Sequence, residues 1–463
     1  MIGVSHMRLA RIGQTTLFPG AESTGVASAA NNYRGFTDPC FASNKSTPVH
    51  RWVPWIAGFS RQFVHEAVGR YLDGKTGVVV DPFAGVGTTL VEALLAGHSA
   101  VGFEINPYAA LACRTKVTAY EIGQGRFRKT IDDFRRHYAV ATDVSYSPKS
   151  SVPPGFKTRV PFYSPDVLRK VLAVVDFIEE MDESPLRDVF RLAFAATMIS
   201  CSNYSYEPSL GTRAAAGKKD VQDFPVGEAI LQKLREIRTD SLWMRERVNG
   251  QMPEATVYNE SFFEGGNRIE AGSVDLLITS PPYLNNYHYV RNTRPQLYWL
   301  GLVGTPGDLR RLEIENFGKY WQTVRDLDHV DFAPELIDPR IRECIEKIRS
   351  RNPDRGVYGG RGWANYATSY FNDCVRFLKT SKRMLKRRAT TLVVIGNNII
   401  QGVTIPTDRF LGSIASSIGF DLIDIHVPRP TRVGNSIIQS DVRVGGADDD
   451  CRLYEAVVEL RKR

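Results

Sequence analysis

The stretch "TGVVVDPFAGVGTTLVEALLAGHSAVGFEINPYAALACRTK", Thr76 to Lys116, decides the fold. Val78 to Val80 is a short β-branched run of the kind buried on both faces of a parallel sheet. Thr88 to Ala96 carries helix formers and closes on Gly97, and Ala100 to Phe103 is apolar again. The sum is a βαβ unit, whose right-handed crossover makes it the seed of a doubly wound α/β sheet. In the first turn, Gly85 and Gly87 let the backbone double back and approach a ligand. Glu104, at the tip of the second strand, is placed to accept hydrogen bonds from two ribose hydroxyls. Leu90 stands where the third glycine of a dinucleotide fingerprint would be. That departure removes the pyrophosphate cradle and favours a nucleoside cofactor without phosphates.

A second stretch, "VDLLITSPPYLNNYHYV" from Val274 to Val290, runs a buried strand into two prolines. Pro281 and Pro282 remove two backbone donors and fix φ near −65°, so Ser280 and Tyr283 sit on a stiff, extended loop. By itself such a loop is more often a plain strand-terminating turn.

The rest of the chain limits the choices. Its 463 residues, 43% hydrophobic and 24% charged, can bury a large core with sizeable insertions. No apolar run reaches the roughly 18 residues of a membrane span, and the N-terminus lacks the apolar core of a secretory signal, so an intracellular protein is expected. Cysteines 40, 113, 201, 344, 374 and 451 show no metal-ligand spacing, which predicts reduced structural thiols. A formal charge of +8 suits a polyanion partner.

Taken together, "DPFAGVGTTLVEALLAG", "GFEINPYA" and "VDLLITSPPY" resemble motifs I, II and IV of the S-adenosylmethionine-dependent amino-methyltransferases of DNA. "HRWVPWIAGFSRQFV", His50 to Val64, is similar to motif X, and "ATVYNESFF" to motif III, with Glu260 or Ser261 near the adenine ring. The resemblance covers roughly residues 46–118 and 255–460. It implies a Rossmann-like class I methyltransferase sheet, S-adenosylmethionine as cofactor and duplex DNA as substrate. It also leaves room for a cognate restriction endonuclease, in a cytoplasmic, nucleoid-associated setting of prokaryotic or phage type. The implied cofactor residues are Asp81, Phe83, Gly85, Gly87, Thr88, Glu104, Ile105, Asn106 and Glu260, with Asp81 reaching the methionine amino group directly or through water.

The catalytic set implied by the resemblance is Ser280, Pro281, Pro282 and Tyr283. An exocyclic amino nitrogen is a poor nucleophile because its lone pair is delocalised into the ring. Rigid acceptors, the Ser280 hydroxyl and the Pro281 carbonyl, can take its two hydrogens and aim the lone pair at a sulfonium methyl. Tyr283 would stack on the base once it has left the duplex. The resemblance further implies N4 of cytosine over N6 of adenine, since in that family serine at the first position usually accompanies cytosine. Methylation of RNA or protein, or an inactive DNA-binding relative, are the rival readings.

The motif order implies an organisation. Residues 1–45 read as a flexible arm, 46–118 as the cofactor half, 119–253 as a helical insertion and candidate target-recognition region, and 254–463 as the catalytic half with a basic loop at 330–362. In the insertion, Val167, Val171, Val174, Val175 and Ile178 form an apolar stripe suited to core packing. Tyr204, Tyr206, Arg213, Lys218 and Lys219 mix aromatic and basic groups in a turn-rich segment suited to phosphates and unstacked bases. Arg349, Arg351 and Arg355, among the glycines of the long connection, form a second candidate DNA contact. The run Lys382 to Arg388 reads as a solvated helix C-terminus.

Overall fold

The computed structural model describes residues 35–55, 58–141, 143, 145–206, 209–248, 253–284, 288–430 and 453–463. Most of the expected N-terminal arm and Cys451 therefore lie outside the described residues. The sheet strands, numbered along the chain, are β1 (Val78–Asp81), β2 (Ser99–Phe103), β3 (Ala255–Tyr258), β4 (Val274–Thr279), β5 (Leu385–Gly396), β6 (Phe420–Arg429) and β7 (Glu455–Lys462). They form one 7-stranded sheet in the order β6-β7-β5-β4-β1-β2-β3. β1 pairs in parallel with β2 and β4, β2 with β3, and β4 with β5. β7 alone is reversed, lying antiparallel between β5 and β6.

This order locates the site. From β1 the chain winds outward to β2 and β3, then returns to lay β4 on the other side of β1, with Val79 opposite Leu276 and Val80 opposite Leu277. In an open parallel sheet such a switch point leaves a crevice beyond the carboxyl ends of the two central strands. The glycine turn leaves β1 and the Ser-Pro-Pro-Tyr segment leaves β4, so both open into that crevice. Val79, Val80, Leu276, Leu277 and Ile278 are all fully buried, as strands covered on both faces require.

The helices α1 (Arg61–Leu72), α2 (Thr88–Leu95) and α3 (Pro107–Thr118) precede the inserted helices α4 (Gln124–Ala141), α5 (Pro165–Glu179), α6 (Pro185–Thr197) and α7 (Val226–Arg247). Phe134, Phe177 and Phe190 make a triangle of ring contacts at 5.3, 5.8 and 5.5 Å that joins α4, α5 and α6. Val167, Val171, Val174 and Ile178 are buried behind it, so the stripe is core. The insertion is also tied to the motif X segment. Asp240 of α7 accepts hydrogen bonds from the Val49 amide (2.9 Å), both ends of the Arg51 guanidinium (3.0 and 2.6 Å) and Trp52 Nε1 (3.0 Å).

The region 330–362 is not the expected open loop. It holds helix α8 (Pro339–Arg349), a short 3-10 turn (Pro353–Tyr358) and the start of the long helix α9 (Gly360–Met384). Asp338 caps α8 by accepting from the Arg340 amide, and Ile341, Cys344, Ile345 and Ile348 are buried at helical spacing. That stripe outweighs the arginines and glycines that suggested a loop. Gly360 packs so tightly that a Cβ there would lie 1.8 Å from the Ile348 carbonyl oxygen. The basic run after it is likewise divided: α9 ends at Met384, and Lys386 to Arg388 belong to β5, where Lys386 pairs with Asp275 at 2.6 Å.

Candidate active site

One cleft collects most of the expected site residues. Phe83, Gly85, Thr88, Glu104, Ile105, Asn106, Glu260, Ser280 and Pro282 all line it. Four separate stretches of sequence thus converge at the switch point between β1 and β4.

The first wall is the β1–α2 turn. Gly85 and Gly87 both have positive φ, 51° and 85°. Gly87 does not line the cleft; it turns the chain against α3, where a Cβ would meet Cys113 Sγ at 2.7 Å. Glu104 fastens this turn to the tip of β2: one carboxylate oxygen accepts from the Gly85 amide (2.8 Å), the other from the Asn106 amide (2.7 Å). The Asn106 side chain in turn caps α3 by accepting from the Tyr108 amide, and donates to Thr293 Oγ1 at 2.8 Å.

Asp81 has a different task from the one expected. Only 1% of it is exposed, and it is absent from the cleft lining. Its carboxylate accepts the Thr89 and Thr279 hydroxyls, each at 2.6 Å, and the Phe83 amide at 3.0 Å. It therefore locks the ends of β1 and β4 and the first turn of α2 together, as a positioning group behind the cleft.

Motif IV is likewise divided. Ser280 and Pro282 face the cleft, while Pro281 is buried. The Tyr283 hydroxyl donates to Glu455 Oε1 at 3.3 Å, and Glu455 Oε2 accepts from Arg429 at 3.2 Å. The reversed strand β7 thereby tethers the tyrosine ring. Opposite, Trp55 of the motif X segment stacks on Tyr289 with ring centroids 6.1 Å apart, and both line the cleft. Phe83 meets Phe262 and Phe317 edge-on at 6.3 and 5.0 Å, which makes one end of the cleft aromatic. Glu260 lines it too, while pairing with Arg268 at 2.5 Å.

Trp55, Phe262, Phe317 and the helix Pro306–Glu315, which contributes Leu312 and Glu315, were not individually expected at the site. Trp55 lies within the motif X segment, which was the available signal for it. That helix buries none of its residues, so it has no apolar stripe by which sequence could place it.

Burial decides the charge state of the two acids. Glu104 keeps part of its surface open to the cleft, yet the surrounding protein desolvates its carboxyl and lifts it to about 7, against the pull of the two amides. Desolvation raises Asp81 to about 6, opposed by its hydroxyl and amide partners. In the ligand-free protein both shifts disfavour ionisation. The stabilising contribution of these groups is therefore present at low pH and lost as pH rises through about 6 for Asp81 and about 7 for Glu104. If Glu104 holds a ribose as expected, binding to its ionised form has the opposite sign. S-adenosylmethionine affinity is expected to rise roughly tenfold from pH 6 to pH 8, with Glu104→Gln abolishing the trend. Calorimetric titrations across that range check this, and a flat profile in the unaltered protein contradicts it.

The candidate DNA contacts lie elsewhere. Tyr204 is largely buried, its ring 5.3 Å from Phe162. The Tyr206 hydroxyl donates to the Asn292 carbonyl at 2.8 Å. Arg213 donates to the Lys219 carbonyl at 2.8 Å, and Lys218 and Lys219 are exposed. Arg349 pairs with Glu346 along α8, while Arg351 and Arg355 are exposed in the turn that follows. Among the described residues no group of three or more potential metal ligands occurs, and no helix is long and apolar enough to cross a membrane.

The chain is similar to known proteins. Residues 41–113 match the family model N6_N4_Mtase, DNA methylase, which spans the motif X segment through α3. Type II methyltransferase M.AvaI from Nostoc sp. is 26% identical over 424 residues, covering 86% of this chain and 84% of that one. Type II methyltransferase M.MvaI from Kocuria varians is 22% identical over 394 residues, covering 83% and 84%. Among solved structures, the rRNA methyltransferase aviRa from Streptomyces viridochromogenes superposes with a TM-score of 0.30 at 8% identity, covering 91% of this chain and 92% of that one. Residues 41–113 are thus similar to the N6/N4 DNA methylase family, whose members use S-adenosylmethionine, and the chain is similar to Type II methyltransferases over most of its length.

Proposed function

We propose that this DNA methylase transfers a methyl group to the N4 amino group of a cytosine flipped out of duplex DNA, as the modification enzyme of a restriction-modification system. The observation that carries the reading is that Ser280, opening Ser-Pro-Pro-Tyr, shares one cleft with Glu104 and the glycine turn. S-adenosylmethionine, when bound, supplies a methyl group on a sulfonium sulfur. The chain's own residues do the rest. Glu104 accepts the ribose hydroxyls, the Gly85 backbone lies beside the methionine part, and Phe83, Phe262 and Glu260 border the adenine. Thr88, Ile105 and Asn106 complete the wall.

Ser280 Oγ and the Pro281 carbonyl accept the amino hydrogens of the base and aim the nitrogen lone pair at the methyl carbon. The amino proton is lost to solvent after transfer, because a sulfonium is a strong enough electrophile to need no strong base. Tyr283, steadied through Glu455, stacks on the extrahelical base and offsets part of an unstacking cost of a few kcal/mol. The Type II relatives support the restriction-modification setting. Digestion of DNA from cells expressing the chain, followed by mass spectrometry of the nucleosides, is expected to reveal N4-methylcytosine. N6-methyladenine alone would overturn the cytosine assignment and leave the geometry of transfer intact.

A further inference from the structure

A second groove adjoins the cleft and shares a turn of chain with it. In the short helix Tyr289–Asn292, Tyr289 and Val290 line the cleft, whereas Arg291 lines the groove, as does Arg294 just beyond. The opposite wall belongs to the insertion and includes Lys157 and Arg159. Phe156, Phe162 and Tyr204 form an aromatic floor, with Phe162 5.1 Å from Phe156 and 5.3 Å from Tyr204.

The walls are fixed to each other. Arg294 donates to the Lys157 carbonyl at 2.8 Å and lies 5.7 Å from the Phe156 ring. The hairpin Tyr204–Tyr206/Leu210–Thr212 holds the short helix through Tyr206 to the Asn292 carbonyl (2.8 Å) and the Leu210 amide to Asn292 Oδ1 (2.7 Å). Whatever occupies the groove is thereby registered against the Ser280 loop.

Its charge indicates the occupant. Lys157, Arg159 and Arg291 are exposed and form no ion pair among the described residues, and no carboxylate is among the described lining residues. Elsewhere on this surface arginines and lysines commonly meet an acid, as in Arg187 with Glu179 and Lys149 with Glu180. Cations gathered without acidic partners repel one another and create a field that favours a polyanion.

We propose that this groove holds the phosphodiester backbone of the DNA beside the nucleotide being methylated. The proposal rests on the DNA-methylase reading above. It shifts the main phosphate contacts from Arg213, Lys218 and Lys219, which lie at one end of the hairpin, to Lys157, Arg159 and Arg291, which face the groove next to the cleft.

The test is the salt dependence of duplex binding by the whole protein, unaltered and as the Lys157→Gln/Arg159→Gln/Arg291→Gln variant. Each lost phosphate contact lowers the slope of log affinity against log salt by about 0.9, so a decrease of about 2 to 3 is expected, with weaker binding at low salt. S-adenosylmethionine affinity, measured without DNA, controls for folding. If the triple variant loses it, Lys157→Gln/Arg159→Gln, confined to an exposed loop, repeats the test with an expected decrease of about 1 to 2. An unchanged slope and affinity in a folded variant, while the unaltered protein binds and methylates DNA, overturns the groove and leaves the enzyme assignment standing. If the unaltered protein neither binds nor methylates duplex DNA, the assignment and the groove fall together.

Discussion

Replacing Glu104 by alanine is expected to weaken S-adenosylmethionine binding by roughly one to two orders of magnitude, since charge-assisted hydrogen bonds to two ribose hydroxyls contribute about 1.5 to 3 kcal/mol. The structure adds a second source of loss. The same carboxylate holds the Gly85 and Asn106 amides, so its removal frees the turn that lines the cleft. Glu104→Gln separates the two contributions: a carboxamide oxygen can still accept from one amide but carries no charge. Its affinity should fall between those of the unaltered protein and the alanine variant, and lose its dependence on pH. Calorimetric affinity unchanged in Glu104→Ala would remove Glu104 from the cofactor site.

Replacing Ser280 by alanine is expected to act on the other partner of the reaction. Methyl transfer at saturating cofactor should slow by roughly 10 to 100-fold, the loss of one oriented hydrogen bond to the reacting amino group, while cofactor affinity stays within a factor of about two. The scaffold should tolerate the change. The neighbouring Thr279 hydroxyl is held by Asp81 at 2.6 Å, and the two prolines that follow keep the loop extended without help from Ser280. Single-turnover rates and calorimetry on the same preparation separate the two quantities. An equal loss in both would place Ser280 against the cofactor rather than the base.

The parts of the fold legible in the sequence are those governed by local pattern. Val78 to Val80, Thr88 to Ala96 and Ala100 to Phe103 anticipate β1, α2 and β2 to within a residue or so, because apolar runs and glycine stops act over a few residues. The lateral order of the strands, with β7 reversed between β5 and β6, depends on pairings between distant segments that no local pattern encodes. The same division holds at the site. The position of Ser280 and Glu104 on the cleft lining was legible because motif spacing places each at a strand tip. The task of Asp81 was not, because its partners Thr89 and Thr279 are 8 and 198 residues away and meet only when β4 lies beside β1. Tyr204 looked like an exposed base-stacking ring because tyrosine among lysines and arginines reads as surface, yet it is largely buried beside Phe162. Region 330–362 misled in the opposite way, its arginines and glycines masking the buried stripe from Ile341 to Ile348.

The most direct test of the central claim, a DNA amino-methylase working through the cleft between β1 and β4, is incubation of the protein with methyl-labelled S-adenosylmethionine and, separately, duplex DNA, tRNA and protein. Label is expected in the DNA alone, on an exocyclic amino group after digestion to nucleosides, and reduced in step with the slowed transfer of Ser280→Ala. Label entering tRNA or protein while duplex DNA stays unlabelled would contradict it.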